Sequence, residues 1–476
     1  MKKKLYSILS VVLVFFSIGC EDWLTVEPET AITGDKLFTT NEGVLQSLNG
    51  LYLNMRGLYT PEGYLGGAGC VESMGCTYTW SEGTPGYMWA GHYYSDQPDN
   101  TNNTMIFQGL YNVIANANSL IAGAKENQSK LKKDVYNLGR GEALAIRALM
   151  HFDLLRLYGP VPSNVDASET YLPYVRVNDI NLYEYITYEK YMNYLLTDLD
   201  SAEMLLSDSD PVLKEKFETM DVSTAEWSFR KSHVNYYGVL GLQARVRLWK
   251  GDTEDALRYA RMVKEARNED GSFKLRLMTP ADTVLYNNAS TDLTCYCEHL
   301  IGTKCDNYDY TRGTSWRPQN VYVLNYNNTF FEDLFAGNVE DKRYLWFWAY
   351  YYNRFGTSGY YCSKYLNFYA SSTSPKNFPI MRLAEIYLIV AETAPLTEAN
   401  EVYKEYCDAR NVPYIPLTES DRRERILLEY IREFCGEGQN FYTYKRYNTK
   451  NMLFGVRELT DEQYRLVIPS AELLND

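Results

Sequence analysis

The sequence predicts a mainly α-helical protein in which paired helices form a scaffold interrupted by two long, irregular, loop-rich segments. Three observations support this fold class. Apolar residues recur at helical spacing in several segments, short turns join some of these segments into pairs, and the stretches between them are rich in Tyr, Trp, Gly and Asn. With 476 residues, 45% of them hydrophobic and 23% charged, the chain has the composition of a folded protein with a sizeable core.

The first helices are predicted between residues 105 and 206. Residues 105–123 carry apolar side chains at helical spacing, and residues 139–158 do so more clearly. In the second segment the apolar residues follow steps of three and four: Ala143, Ile146, Met150, Leu154 and Leu157. Gly159 and Pro160 then stop that helix, and residues 187–206 form another candidate.

Residues 234–249 and the segment after them are predicted to form a helical hairpin. Gly241 and Ala244 would let a partner helix approach closely, and Asp252 or Thr253 can cap the second helix. A small-residue crossing, a short turn and a partner helix are typical of tetratricopeptide-like pairs.

A comparable pair is predicted further along the chain. It spans residues 381–394 and 397–410, with a hinge at Pro395 and a cap at Thr397. Together the two pairs predict a tetratricopeptide-like helical hairpin scaffold.

The loop-rich segments are residues 59–103 and 275–380. Long irregular stretches in a folded chain are usually functional or disordered, and these contain too many aromatic residues to suggest disorder. The chain as a whole has 44 Tyr, 18 Phe and 8 Trp, which predicts that some aromatic side chains lie at the surface.

The charge of the chain limits its ligands. The formal net charge is −14, which argues against a broad nucleic-acid interface and disfavours strongly anionic ligands. The segments 59–103 and 275–380 also contain cysteines that could form one bridge each: Cys70 with Cys76, or a pair among Cys295, Cys297 and Cys305. Cys295 and Cys297 are too close in sequence for the usual pair of zinc ligands, so we predict no metal and no cofactor.

The N-terminus resembles a bacterial lipoprotein signal. Three lysines precede an apolar stretch over residues 5–18 that is short for a membrane span, and a small residue and Cys20 follow. We therefore expect residues 1–19 to be a signal peptide and Cys20 to be lipidated, which would anchor the chain stably. Glu21 and Asp22 resemble the surface-export signal of Bacteroidetes lipoproteins.

Several motifs, taken together, resemble the SusD/RagB family. GRGEALAIRALMHFDLLRLYGPVP at 139–162 and RLAEIYLIVAET at 382–393 are similar to its helical motifs. RRERI and FCGEGQNFYTYKRY, between Arg422 and Tyr447, resemble its arginine-rich helix and the EG-containing motif after it, although Tyr444 and Tyr447 replace the Leu and Trp of that motif. EDWLTVEPE at 21–29 and the terminal LVIPSAELLND also fit.

The resemblance implies a function as well as a fold. Family members are mostly helical, with a loop-rich face that binds the ligand, and they cover a SusC-like TonB-dependent outer-membrane transporter as a lid. We therefore expect residues 20–476 to be a single SusD-like domain at the outer cell surface. It would capture an oligosaccharide, or a peptide as in some members, and pass it to the transporter without catalysis.

Candidate ligand-binding residues lie in both loop-rich segments, because aromatic rings cover the apolar face of a sugar and polar groups bind its hydroxyls. The first group comprises Trp80, Tyr87, Trp89, Tyr93, Tyr94, Asp96 and Asn100, with Asp99 and Asn102 as further polar partners. The second comprises Tyr308, Tyr310, Arg312, Trp316 and Arg317. The alternative for each aromatic residue is that it packs a loop onto the helices.

Other residues of the matching motifs are predicted to be structural. Glu142, Arg147, Arg156, Arg382 and Glu385 are expected to form scaffold ion pairs or hydrogen-bond anchors, and His151 to be a hydrogen-bonded core residue. A surface glycoside hydrolase is a weaker alternative, because chance carboxylate pairs are common in an acidic chain. No HExxH, GxxxxGK[ST] or GxGxxG motif supports an enzyme. A peptide- or partner-binding helical adhesin is the third possibility.

Overall fold

The computed structural model describes residues 34–473 apart from 62, 68, 79, 81, 84, 95–98, 180, 218–226, 284–292, 306–328, 353–357 and 366–375. The expected signal peptide and Cys20 therefore lie outside the described residues. Asp96 and the whole second group of candidate binding residues also lie outside them.

Helices form most of the described chain. In the N-terminal half they are α1 (Gly34–Leu37), α2 (Asn41–Leu58), α3 (Cys70–Met74), α4 (Pro85–Ala90), α5 (Thr101–Glu126), α6 (Lys133–Tyr158) and α7 (Tyr188–Ser209). In the C-terminal half they are α8 (Tyr236–Lys250), α9 (Thr253–Lys264), α10 (Thr329–Phe335), α11 (Lys342–Phe347), α12 (Leu383–Thr393), α13 (Leu396–Arg410), α14 (Arg422–Glu433), α15 (Asn440–Tyr447) and α16 (Ser470–Leu473).

The long helices pack in chain order as a row of hairpins. Helix α2 packs on α5 and α6, α6 on α7, α7 on α8, α8 on α9, α9 on α12, and α12 on α13 and α14. Almost every side chain of α6 is buried, which explains why this helix is apolar on more than one face. These contacts confirm the mainly helical hairpin scaffold.

Six short strands connect the helices. They are β1 (Thr170–Leu172), β2 (Ile186–Thr187), β3 (His299–Lys304), β4 (Trp348–Tyr352), β5 (Ser358–Cys362) and β6 (Asn377–Arg382), counted over the described residues. They pair antiparallel as β1–β2, β3–β6 and β4–β5. The segment predicted as irregular over 275–380 therefore contains four of these strands and two helices.

Two details of the hairpin predictions are wrong. Gly241 faces the β3–β6 pair instead of a helix, because a Cβ there would lie 2.8 Å from the Met381 sulfur and 3.3 Å from a Leu300 methyl carbon. Thr397 does not cap α13, which begins at Leu396 with Pro395 at the N-cap position. Asp252 does cap α9, where its side chain accepts a hydrogen bond from the Asp255 N–H.

Buried ion pairs join the helices, as the motifs predict. Arg147 on α6 pairs with Asp198 on α7 at 2.6 Å, and Arg245 on α8 pairs with Glu385 on α12 at 2.5 Å. Glu142 pairs with Arg230. Removing one partner of such a pair leaves a buried charge without compensation, so these contacts fix the relative positions of the helices.

The remaining predicted structural residues are also buried. Arg156 pairs with Asp153 within α6, and the Arg156 guanidinium lies 3.7 Å from the centroid of the Tyr442 ring. The imidazole of His151 contacts the Tyr191 hydroxyl at 2.9 Å, and burial lowers its pKa to about 3. His151 is thus a neutral, hydrogen-bonded core residue.

Within the part of the chain that the structure describes, no helix combines the length and the apolar character needed to cross a bilayer.

Candidate ligand-binding site

The base of the candidate site is held by a buried carboxylate. Glu72, on the short helix α3, accepts hydrogen bonds from the backbone N–H groups of Gly436 and Gly438, both at 2.8 Å. Burial raises the pKa of Glu72 to about 7, although these two N–H groups act against the rise. The aromatic segment after α3 is therefore anchored to the turn between α14 and α15.

That turn requires its glycines. Gly436 and Gly438 have φ values of 75° and 67°, which an L side chain rarely adopts. A Cβ at Gly436 would lie 2.7 Å from the Cys362 sulfur, and one at Gly438 would lie 2.2 Å from the Leu65 carbonyl oxygen. The EG-containing motif thus has a structural role, which is to receive Glu72.

Two of the predicted sugar platforms lie in the core. Trp89 and Tyr94 are each only 2% exposed, and their ring centroids are 5.8 Å apart. The Tyr94 hydroxyl donates to the backbone carbonyl of Gln463 and contacts His92 at 3.1 Å. In this structure both rings pack the aromatic segment against the C-terminal part of the chain and present no face to a ligand.

Tyr87 and Tyr93 form a half-buried aromatic pair beside this core. Their ring centroids are 5.9 Å apart and their planes differ by 30°. The Tyr93 ring folds back over Gly91, where a Cβ would lie 2.1 Å from a ring carbon. We call Tyr87, Tyr93 and Arg457, whose guanidinium lies 4.5 Å from the Tyr93 centroid, the aromatic platform.

Arg457 is a member of the platform that the sequence did not indicate. Besides its contact with Tyr93, it donates a hydrogen bond to the backbone carbonyl of His92. It lies 364 residues after Tyr93 in an unremarkable loop, so no local motif could have pointed to it.

Trp80 lies against the first turn of α4. It is partly buried, and a Cβ at Gly86 would lie 2.1 Å from its ring, so the indole covers the backbone at that position. One part of Trp80 is therefore used for packing, and Trp80, Tyr87 and Tyr93 are all half-buried.

The polar candidates of the first group help to build the start of α5. Asn100 is its N-cap residue, and its side chain accepts a hydrogen bond from the Asn102 N–H at 3.0 Å. Asp99 accepts a hydrogen bond from the Ser470 N–H at 2.8 Å. Their present hydrogen bonds are structural, and they place the helix end close to the platform segment.

The structure also bears on the two possible disulfide bridges. All eight cysteines among the described residues are free thiols, so neither of the two possible bridges is formed. Burial raises the pKa of the Cys70 and Cys76 thiols to about 12. In the described part of the chain, no group of three or more His, Cys, Asp or Glu side chains could hold a metal ion.

The fold and the platform together define a class of protein: a helical hairpin scaffold that carries half-buried aromatic side chains on a short helix and the loop after it. The sequence profile described as "SusD family" matches residues 215–471, and a second, described as "Starch-binding associating with outer membrane", matches residues 23–220. The chain belongs to the SusD/RagB family. No curated protein sequence matches it significantly.

Solved structures share the fold. A SusD superfamily protein from Bacteroides thetaiotaomicron is 19% identical, with 91% of this chain and 97% of that chain covered and a TM-score of 0.69. One from Bacteroides vulgatus is 18% identical, with the same coverage and a TM-score of 0.70. A SusD-like carbohydrate binding protein from Bacteroides vulgatus is 19% identical over 86% of this chain and 83% of that chain, with a TM-score of 0.64.

Proposed function

We propose that this protein captures oligosaccharides at the outer surface of the outer membrane and passes them to a SusC-like TonB-dependent transporter. The observation that carries this proposal is the half-buried pair of Tyr87 and Tyr93 beside Arg457, on a scaffold of the SusD family. A pyranose has an apolar face that a tyrosine ring covers, while a guanidinium donates hydrogen bonds to its hydroxyls.

The family matches support the ligand class and the location. One matching profile is described as starch-binding and associating with the outer membrane, and a solved carbohydrate binding protein shares the fold. Cleavage after residue 19 and lipidation of Cys20 would place the chain on that membrane, with residues 20–476 as one domain. The transporter partner is part of the proposal because the family is expected to act as a lid.

We also propose that binding occurs without catalysis. A general acid needs a pKa near the working pH and access to the substrate. Glu72 has a pKa of about 7, but it is 0% exposed and both its oxygens accept backbone hydrogen bonds. His92 is 1% exposed, and burial lowers its pKa to about 4. These two groups are thus closed to a glycosidic bond in this structure.

A binding screen with a product assay tests the ligand class. Residues 21–476 would be screened against neutral plant, host and microbial polysaccharides and a peptide mixture, with released sugars measured in the same wells. Saturable binding of one glycan class without product is the expected result. Product formation would show a hydrolase, and binding of peptides alone would assign the protein to the peptide-binding members of the family.

The transporter partner needs a separate experiment in cells. We expect the lipidated protein to co-purify with a large outer-membrane barrel after mild detergent extraction, and the same protein with Cys20→Ala to lose most of this association. Recovery of the wild-type protein without any barrel would contradict the lid function, whatever the result of the glycan screen.

A further inference from the structure

A second concave surface lies between α5 and the chain segment before β2. Helix α5 and residues 173–179 and 181–185 line a cleft of about 460 Å³. This volume lies within the range of roughly 300–1,000 Å³ that is typical of small-molecule sites. We call it the α5 cleft.

The wall opposite α5 is tied in place by hydrogen bonds. The Tyr111 hydroxyl on α5 donates to the Pro173 carbonyl at 3.3 Å, and the Asn118 amide donates to the carbonyls of Val175 and Val177 at 3.3 and 3.0 Å. The backbone of this wall is therefore fixed to the helix.

A turn centred on Asp179 closes one end of the cleft. The Asp179 carboxylate accepts hydrogen bonds from the Asn181 N–H at 3.0 Å, the Asn181 amide at 2.8 Å and the Tyr183 hydroxyl at 2.5 Å. The Tyr183 hydroxyl is the largest influence on the pKa of Asp179, which is lowered, so this carboxylate is ionised at neutral pH. Hydrogen bonds within the chain therefore hold this turn in place.

The cleft combines aromatic rings with polar groups. Tyr111, Tyr183 and Tyr185 line it and are half-buried. Gln108 and Asn112 also line it from exposed positions one turn apart on α5, and their side-chain amides make no hydrogen bond within the described part of the chain. Aromatic faces can cover the apolar face of a sugar ring, and side-chain amides can form hydrogen bonds with its hydroxyls.

The charges around the cleft exclude an anionic ligand. Asp179 and Glu472 are the charged residues of its lining, and no Lys or Arg belongs to the lining as far as the described residues show. A phosphate, sulfate or uronate would meet negative charge without a cationic partner. An entirely apolar ligand would displace water from the amides of Gln108 and Asn112 and offer them no hydrogen bond in return.

We propose that the α5 cleft is a second saccharide-binding site, which takes a short neutral stretch of the glycan. The inference rests on the proposed glycan capture but concerns a different set of residues, because none of the cleft-lining residues belongs to the platform. Two binding sites on one chain would hold a polysaccharide with higher avidity than either alone, provided that the ligand spans both.

Paired variants on α5 test the cleft directly. Ala115→Phe fills the cleft from its helical wall, and Asn112→Ala removes one unused amide. Asn116→Ala is the matched control, because Asn116 is exposed one turn further along the same helix and is not part of the lining. Each variant would be made in the wild-type chain and in a Tyr87→Ala, Tyr93→Ala background, where remaining binding cannot come from the platform.

Binding would be measured by calorimetry and saturation-transfer NMR with maltotriose, cellotriose, xylotriose and mannotriose. We expect one of them to bind the platform-deficient protein, Ala115→Phe to abolish that binding, and Asn112→Ala to weaken it by about tenfold, the upper end of the effect of one lost hydrogen bond. Asn116→Ala should change it less than twofold. Circular dichroism would show that each variant is folded.

The remaining outcomes distinguish this inference from the proposed function. If wild-type protein binds a glycan but the cleft variants leave every affinity within twofold, the cleft is not a saccharide site and the platform proposal stands. If no glycan binds wild-type protein at all, both fail. If Ala115→Phe instead abolishes binding of the tripeptide Ala-Lys-Ala, the saccharide assignment of the cleft is overturned.

Discussion

Replacing Arg382 tests how much a buried charge cluster beside the proposed binding segment stabilises the fold. Arg382 is 0% exposed, and its guanidinium donates five hydrogen bonds. These reach side-chain oxygens of Glu298, Glu433 and Glu437 and the Glu433 carbonyl, at 2.7–3.1 Å. Glu437 lies between the two glycines that bind Glu72, so the cluster adjoins the base of the platform.

Arg382→Met should cost about 3–5 kcal/mol of unfolding free energy, the usual effect of removing one partner of a buried ion pair. Burial opposes ionisation of Glu433, but Arg410 and Arg382 outweigh it and hold its pKa well below 4.5. Without Arg382 this pKa rises, so the folded variant takes up a proton in mild acid. The difference from wild type should therefore shrink between pH 7 and pH 5, where wild-type Glu433 remains ionised.

Urea unfolding at pH 7 and pH 5 measures both effects. Lys404→Ala is the control, because Lys404 and Asp408 form an exposed pair on α13, with side chains 57% and 61% exposed. Such a pair contributes at most about 0.5 kcal/mol. A loss below about 1 kcal/mol for Arg382→Met, or a difference that grows as the pH falls, would refute the reasoning.

Three further predictions concern the platform, its supporting turn and the buried histidines. Tyr87→Ala and Tyr93→Ala should each weaken glycan binding, measured by calorimetry, by about tenfold, because each removes an aromatic contact. Tyr350→Ala is the control: Tyr350 is 60% exposed on β4, and its loss should leave glycan affinity unchanged. Gly436→Ala should lower the unfolding free energy by more than Gly251→Ala does. Both glycines have positive φ, which alone costs about 1–2 kcal/mol in the variant, but only the Cβ at Gly436 would meet another atom within 4 Å. The unfolding free energy should also fall as the pH drops below about 6.5, by up to about 5 kcal/mol per pH unit, because the unfolded chain then protonates four histidines that burial keeps neutral in the folded chain; a flat urea midpoint between pH 6.5 and pH 5 would exclude this. These histidines are His92, with a pKa of about 4, and His151, His233 and His299, each with a pKa of about 3.

The helices of the scaffold could be predicted because the residue pattern that defines each helix lies within one short segment of the sequence. The apolar spacing over residues 139–158 lies inside α6, and the predicted pair at 381–410 corresponds to α12 and α13. Charged residues in an otherwise apolar helix, such as Arg147, indicated buried ion pairs because a lone charge in a core is too costly to keep. Thr397 failed as a cap because Pro395 already sets the conformation at the start of α13.

The exposure of the aromatic residues was predicted less well, because exposure depends on contacts between distant segments. Trp89 and Tyr93 lie four residues apart in one aromatic run, yet Trp89 is 2% exposed and Tyr93 is half-buried. Trp89 packs against Tyr94, whose hydroxyl donates to the distant Gln463 carbonyl, and no local pattern marks that contact. Composition indicated an aromatic segment but could not separate its buried rings from its half-buried rings.

The contacts around the platform join the aromatic segment to the C-terminal segment of the described chain, and the proposed binding site depends on both. Tyr94 donates to the Gln463 carbonyl, Arg457 donates to the His92 carbonyl, and the Ser470 N–H donates to Asp99. Each of these contacts joins residues 365–371 positions apart, so each depends on the helical scaffold that brings the two segments together. The buried ion pairs between the helices stabilise that scaffold, so we expect their loss to weaken binding at the proposed site indirectly.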